Sequence, residues 1–237
     1  MVIFFDIDDT LVDHTSAEEY AAQQWYAYWR HRLPQTGPAF AALWKHVTAQ
    51  HMAAFLAGAI SFTEQRRRRI RAVFPTPLED QEADRLFRLY LAYYEQSWRV
   101  FPDVLPCLDR LTAHTLGIIS NGDTTQQQQK LEVLGIAARF AVMVTSETVG
   151  VAKPDPRIFT HACQVAGAHP TQCVYVGDRL DTDARAAQQA GWRGIWLNRR
   201  APETIPPDVL AIPDLGVLPR VLAQWGARSG RSAAPGL

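Results

Sequence analysis

The sequence predicts an α/β protein: a parallel sheet with helices on both faces, plus a separate small helical unit. Three observations carry this. Short apolar runs recur along the chain with helical patterns between them. One long stretch interrupts that alternation with helix formers and aromatic residues alone. Clusters of polar residues follow the apolar runs, where strands would end.

Five runs read as buried strands: Val2–Phe5, 115–119, 141–145, 173–176 and 194–197. Each is short and almost wholly apolar, as strands covered on both faces are. Helical patterns occupy 124–134, 156–166 and 182–190, and Gly135, Gly167 and Gly191 stand as stop signals behind them. Asp155 reads as an N-cap, with Pro156 at the first helical position. The polar run 126–129 reads as a solvated helix face. Strand–helix alternation of this kind predicts a parallel sheet.

The interruption spans 14–98. It holds Trp25, Trp29, Phe40, Trp44, Tyr90 and Tyr94 among other aromatics, and it has no strand pattern. It predicts a helical insert with its own aromatic core, some of it facing the cleft. The resulting division is a sheet domain of 1–13 and 99–225, a helical insert of 14–98, and a tail of 226–237. The tail is rich in Gly, Ser, Ala and Pro and reads as disordered.

Composition excludes several classes. Twenty-four basic and 24 acidic side chains cancel, so no electrostatic footprint for nucleic acid or an anionic membrane exists. No apolar stretch approaches the length of a membrane span, and the N-terminus has no signal-peptide pattern. Three cysteines form no CxxC pair, which fits a reducing, cytoplasmic setting. Arg66, Arg67, Arg68, Arg69 and Arg71 spread around a helix, solvated or paired with Glu64, Glu79 or Asp80, with room for one to reach the cleft.

The chemistry lies at the strand ends. Asp6-Ile7-Asp8-Asp9-Thr10 follows the first run directly. In an extended segment Asp6 and Asp8 share a side. Crowding buried carboxylates is expensive unless a cation neutralises them. The segment therefore predicts a metal or a tuned acid/base pair. Ser120-Asn121-Gly122 follows the second run and precedes a helix; Lys153-Pro154-Asp155 precedes another; Gly177-Asp178 through Asp183 follows the fourth run. Open parallel sheets bind ligands beyond the carboxyl ends of their strands, so these clusters can converge.

In order and separation, these four segments resemble the four motifs of the haloacid dehalogenase superfamily, across residues 2 to about 222. The resemblance implies a Rossmann-like core with the first strand central. The insert resembles the small helical cap of one subclass, where specificity resides. The implied activity is a Mg²⁺-dependent phosphatase acting on a small phosphorylated metabolite. Phosphoryl transfer asks mainly for positioning and charge neutralisation. Asp6 would be the nucleophile, forming an aspartyl-phosphate. Asp8 would protonate the departing oxygen and later accept a proton from water. Thr10 would help orient the site. The Ser120 hydroxyl and the amides of Asn121 and Gly122 would hold phosphate oxygens. Lys153 would neutralise carboxylate and phosphate. Family resemblance supplies the Mg²⁺ ligands: the Asp6 carboxylate, the Asp8 backbone carbonyl and the Asp178 carboxylate.

Asp183, five residues beyond Asp178, takes an outer metal role or that of a helix N-terminal carboxylate. Asp181 reads as a cap and Asp9 as a turn residue bonded to local backbone. His14, near the junction with the insert, reads as a surface or packing residue, with a substrate contact as the alternative. Three alternatives stand beside the phosphatase: a haloacid dehalogenase, a phosphomutase, and a non-catalytic binding protein. An acidic residue at position 8 argues against the first. The last would be expected to lack a reactive residue, and none is missing.

Overall fold

The structure, a computed structural model, describes residues 1–199 and 204–231. The chain runs β1 (Val2–Phe5), α1 (His14–Trp29), α2 (Gly37–Leu56), α3 (Phe62–Arg71), α4 (Asp80–Gln96) and α5 (Val104–Arg110). It continues through β2 (Thr115–Ser120), α6 (Thr124–Val133), β3 (Val142–Thr145), α7 (Ser146–Val149), α8 (Pro156–Ala166) and β4 (Cys173–Gly177). A π-helical turn (Leu180–Arg185) leads into α9 (Ala186–Gln189), followed by β5 (Arg193–Leu197), β6 (Leu210–Ile212) and α10 (Leu218–Arg231).

The strands form one parallel sheet in the order β3-β2-β1-β4-β5-β6. This is the Rossmann-like α/β architecture that the sequence predicts, with β1 interior. The two-residue period of β1 divides the core. Ile3 and Phe5 pack with α5, α6 and α10 residues such as Leu108, Leu131 and Leu222. Val2 and Phe4 pack on the opposite face with Ile158 and Phe159 of α8 and with Ala187 of α9.

Helices α1 to α4 lie between β1 and β2 and bury a separate aromatic cluster. Trp25 is its centre: fully buried, with the Phe40 and Trp44 rings each 5.7 Å away. Its Nε1 donates to the Leu86 carbonyl at 2.9 Å, so the ring brings no unpaired polar group into the cluster. The chain enters and leaves this unit side by side. Asp13 N donates to Arg99 O at 3.0 Å, and Phe101 N donates to Leu11 O at 3.1 Å.

Four features differ from the sequence reading. The edge strand β6 went unpredicted, because its three residues lie between Pro207 and Pro213 and form too short a run. The helix expected at 182–190 starts earlier, as the π turn. Helix α10 extends to Arg231, so the backbone expected to be disordered from 226 is helical that far; 232–237 lie outside the described residues. Leu218 and Leu222 anchor its first turns in the core, and propagating a nucleated helix costs less than starting one. Finally, the polar run 126–129 is not wholly solvated, since Gln127 is 4% exposed.

The basic run of α3 divides by face. Arg67 pairs with Asp80 and Asp84 at 2.5 and 2.7 Å, Arg68 with Glu64 at 2.8 Å, and Arg71 with Asp80. Arg69 points inward, with the Trp44 ring 4.7 Å from its guanidinium. Among the described residues no helix is long and apolar enough to cross a membrane.

Candidate active site

The ladder of β1 continues one residue past the strand, where Asp6 N donates to Val176 O at 3.0 Å. Asp6 is thus held at the sheet's carboxyl edge, buried to 8% exposure. The chain then turns. Asp9 adopts a left-handed φ of 55°, and its carboxylate accepts from Thr15 N at 2.9 Å and Thr15 Oγ1 at 2.6 Å. Those bonds tie the start of α1 to the turn, in line with the local role expected of Asp9.

Lys153 reaches Asp6 from the loop before α8. The Asn121 side chain clamps that loop: Nδ2 donates to Lys153 O at 3.0 Å, and Lys153 N donates to Oδ1 at 2.8 Å. The Lys153 Nζ, almost fully buried, donates to Asp6 Oδ1 at 2.9 Å, Asp183 Oδ1 at 2.7 Å and the Tyr175 hydroxyl at 2.6 Å. The Tyr175 hydroxyl in turn donates to the Ile119 carbonyl at 2.7 Å. Burial alone would push the Lys153 ammonium down, but Asp183 and Asp6 outweigh it and hold its pKa well above the usual range.

Asp183 is closer to Asp178 than their sequence separation suggests. The π turn carries both Asp183 N and Ala184 N back to the Arg179 carbonyl, at 3.0 and 3.3 Å. Asp183 Oδ2 in turn accepts from Arg179 N at 3.0 Å. Its carboxyl group packs over Gly177, where a β-carbon would stand 2.4 Å from Cγ. One carboxylate oxygen each from Asp6, Asp178 and Asp183 lies within 4.8 Å of the others.

That crowding shows in the titration of the site. Burial raises Asp6 to about 6, with Lys153 opposing and Asp183 and Asp8 adding to the rise. Burial, then the charges of Asp6 and Asp183, push Asp178 up to about 8. Three carboxylates sharing one buried ammonium form a site short of positive charge. Hard oxygen donors in such a group fit Mg²⁺. The Asp8 carboxylate lies outside this group.

Asp8 is held elsewhere. Its Oδ1 accepts from Lys130 Nζ at 2.5 Å, with His14 Nδ1 3.7 Å away, and its Oδ2 accepts from Gln127 Nε2 at 2.9 Å. Burial opposes ionisation, but Lys130 and His14 prevail and keep Asp8 well below the ordinary carboxylate range. Ser120 Oγ, also buried, accepts from Gln127 Nε2 at 3.0 Å. Thr10 is fully buried and its hydroxyl has no partner among the described residues, while its carbonyl accepts from Arg199 Nη2 at 2.9 Å. The Gly122 amide, expected to hold phosphate, donates to Ser146 Oγ of α7 at 2.9 Å.

The structure therefore gathers Asp6, Lys153, Asp178 and Asp183 into one cluster, while Gln127 joins Asp8 to Ser120. Tyr175, Gln127, Lys130 and His14 were not assigned to the site from sequence. Tyr175 resembles any other strand residue. Gln127 and Lys130 left a faint signal: polar residues three apart in a helix directly after Ser120-Asn121-Gly122.

A six-stranded parallel sheet with acidic and basic groups converging at its carboxyl edge defines a Rossmann-like α/β protein with a charged site beyond its strand ends. A family model for haloacid dehalogenase-like hydrolases matches residues 1–191, and the chain belongs to that family. Phosphoserine phosphatase from Thermus thermophilus is 32% identical over 185 residues, 76% of this chain and 70% of that one. Glyceraldehyde 3-phosphate phosphatase from Methanopyrus kandleri is 36% identical over 133 residues, 54% of this chain. That match spans only 57% of the Methanopyrus protein. Among solved structures, the putative HAD-hydrolase YfnB from Bacillus subtilis, bound to magnesium, superposes with a TM-score of 0.78. It shares 23% identity, over 94% of this chain and 98% of its own. A 2-haloacid dehalogenase from Pseudomonas syringae superposes with a TM-score of 0.72 at 29% identity, over 94% and 98%.

Proposed function

We propose that this chain is a Mg²⁺-dependent phosphatase that hydrolyses a small phosphorylated metabolite through an aspartyl-phosphate. One observation carries the reading: Asp6, Asp178 and Asp183 offer ligand oxygens within 4.8 Å of one another, while Lys153 binds Asp6 at 2.9 Å. Relatives named as phosphatases support it.

Asp6, Asp178 and Asp183 would hold the ion together with the Asp8 carbonyl, and the ion would neutralise phosphoryl oxygens. Asp6 attacks phosphorus as the bond to the departing oxygen breaks, and Asp8, ionised in the free protein, relays to that oxygen a proton brought by the phosphate monoanion. Water then attacks the phosphoryl group, its proton passes to Asp8, and the Asp6 carboxylate is restored. The Ser120 hydroxyl and Asn121 amide bind phosphate oxygens, and Lys153 neutralises charge on Asp6 and the phosphate. Thr10 would help orient the site, its buried hydroxyl being without a partner among the described residues. Helices α1 to α4 serve as a cap over the substrate and exclude water. Three free buried cysteines fit a reducing cytoplasmic setting.

The similarity to a 2-haloacid dehalogenase favours a second reading, carbon–halogen displacement by Asp6. That reaction has no use for Asp8 as an acid or for three clustered carboxylates, and it ranks below the first. The test is a screen of p-nitrophenyl phosphate, metabolite phosphates and 2-haloacids, each with Mg²⁺ and with EDTA. Metal-dependent phosphate release that Asp6→Asn abolishes supports the phosphatase. Halide release that EDTA leaves unchanged establishes the dehalogenase instead.

A further inference from the structure

Helix α6 begins just beyond Ser120-Asn121-Gly122 and turns two polar side chains inward. Gln127 is 4% exposed and Lys130 is 1% exposed. Three residues apart, they share one face of the helix. Burying an ammonium and an amide is costly without partners, so their bonds matter. Both go to Asp8. Lys130 Nζ holds Oδ1 at 2.5 Å and Gln127 Nε2 holds Oδ2 at 2.9 Å. Gln127 Nε2 also donates to Ser120 Oγ at 3.0 Å, linking Asp8 to that hydroxyl. From the other side, the Tyr94 and Trp98 rings lie 5.5 and 5.6 Å from Lys130 Nζ. His14 Nδ1 lies 2.7 Å from the Tyr94 hydroxyl and 3.7 Å from Asp8 Oδ1.

We propose that Gln127 and Lys130 are positioning residues for Asp8, setting the placement from which its carboxyl group serves the departing oxygen. Two donors on two oxygens fix the rotamer as neither alone would. Lys130 also ties that rotamer to the helical insert, because Tyr94 and Trp98 lie at the segment by which the chain leaves it. The two aromatic faces add to the stabilisation of the buried ammonium. The inference rests on the reading of Asp8 as the acid.

The test compares kcat/KM for p-nitrophenyl phosphate and phenyl phosphate, two esters of similar shape. The first releases a stable anion, and the second depends more on a proton. Because kcat/KM reports the step that releases the alcohol, the ratio between esters isolates the acid. Asp8→Asn is expected to raise that ratio by about tenfold or more. Lys130→Met and Gln127→Ala are expected to raise it in the same direction, Lys130→Arg to restore it, and Asp8→Asn with Lys130→Met to shift it no further than Asp8→Asn alone. A change in both esters alike for Lys130→Met and Gln127→Ala would overturn the inference. Should Lys130→Met not fold, Gln127→Ala decides on the same ratio. Wild-type protein that cleaves neither ester sinks the phosphatase reading itself, whereas an unmoved ratio in active variants overturns only the positioning role.

Discussion

Gly177 and Asp183 are in such close contact that a β-carbon at 177 would stand 2.4 Å from the Asp183 carboxyl carbon. The glycine is thus a matter of space: it lets the π turn fold the carboxylate back against β4. Gly177→Ala is expected to push Asp183 away from Asp6 and Asp178. Overpacking of this kind costs about 1–3 kcal/mol, read by urea denaturation. The Mg²⁺ concentration for half-maximal activity is expected to rise about tenfold. An unchanged metal requirement would place Asp183 outside the metal environment.

Lys153 bonds both Asp6 and Asp183. Lys153→Met leaves both carboxylates buried without that partner, and breaking a buried pair costs about 3–5 kcal/mol. Activity is expected to vanish with it. Lys153→Arg is not expected to rescue activity, because a planar guanidinium cannot reach Asp6, Asp183 and Tyr175 as the ammonium does. Denaturation curves and turnover of the folded fraction separate the two effects.

The raised pKa values of Asp6 and Asp178 make a prediction for metal-free protein. Unfolded, both titrate near 3.8; folded, near 6 and 8. The folded state therefore holds extra protons across that window, and its stability falls as pH rises through it. Asp8, held well below the usual range, is ionised throughout and adds no slope. In EDTA the melting temperature is expected to drop between pH 5 and about pH 8. Saturating Mg²⁺ is expected to flatten the drop, because the ion takes the place of the protons. A melting temperature independent of pH in EDTA would contradict the crowding of these carboxylates.

In the helical insert, Trp25→Ala is expected to cost about 3–5 kcal/mol, since it empties the centre of an aromatic cluster. Trp25→Phe is expected to recover most of the loss while removing the indole N–H bond to Leu86 O. Calorimetry of the two variants checks the order.

The sheet was legible because buried parallel strands are apolar runs and their helices carry stop signals. Val2–Phe5 and Pro156–Ala166 coincide with the expected bounds. Strand β6 was not legible, having three residues and little burial of its own. Asp6, Asp178 and Lys153 stood out because charge directly after an apolar run has few structural uses. The bond from the Gly122 amide to Ser146 was not legible, because Ser146 lies 24 residues on. The closeness of Asp183 was hidden too, because a π turn changes which residues face each other and leaves no mark in composition. Gln127 was obscured by its polar neighbours, since only packing distinguishes one glutamine from the next.

The central claim is that Asp6 itself carries the phosphoryl group. A single-turnover reaction with excess protein and a ³²P-labelled ester, quenched in acid, tests it directly. The expected result is label on the peptide containing Asp6, released by hydroxylamine as an acyl phosphate and missing in Asp6→Asn. Phosphate formed at full rate with label on no residue, or on one other than Asp6, would contradict it.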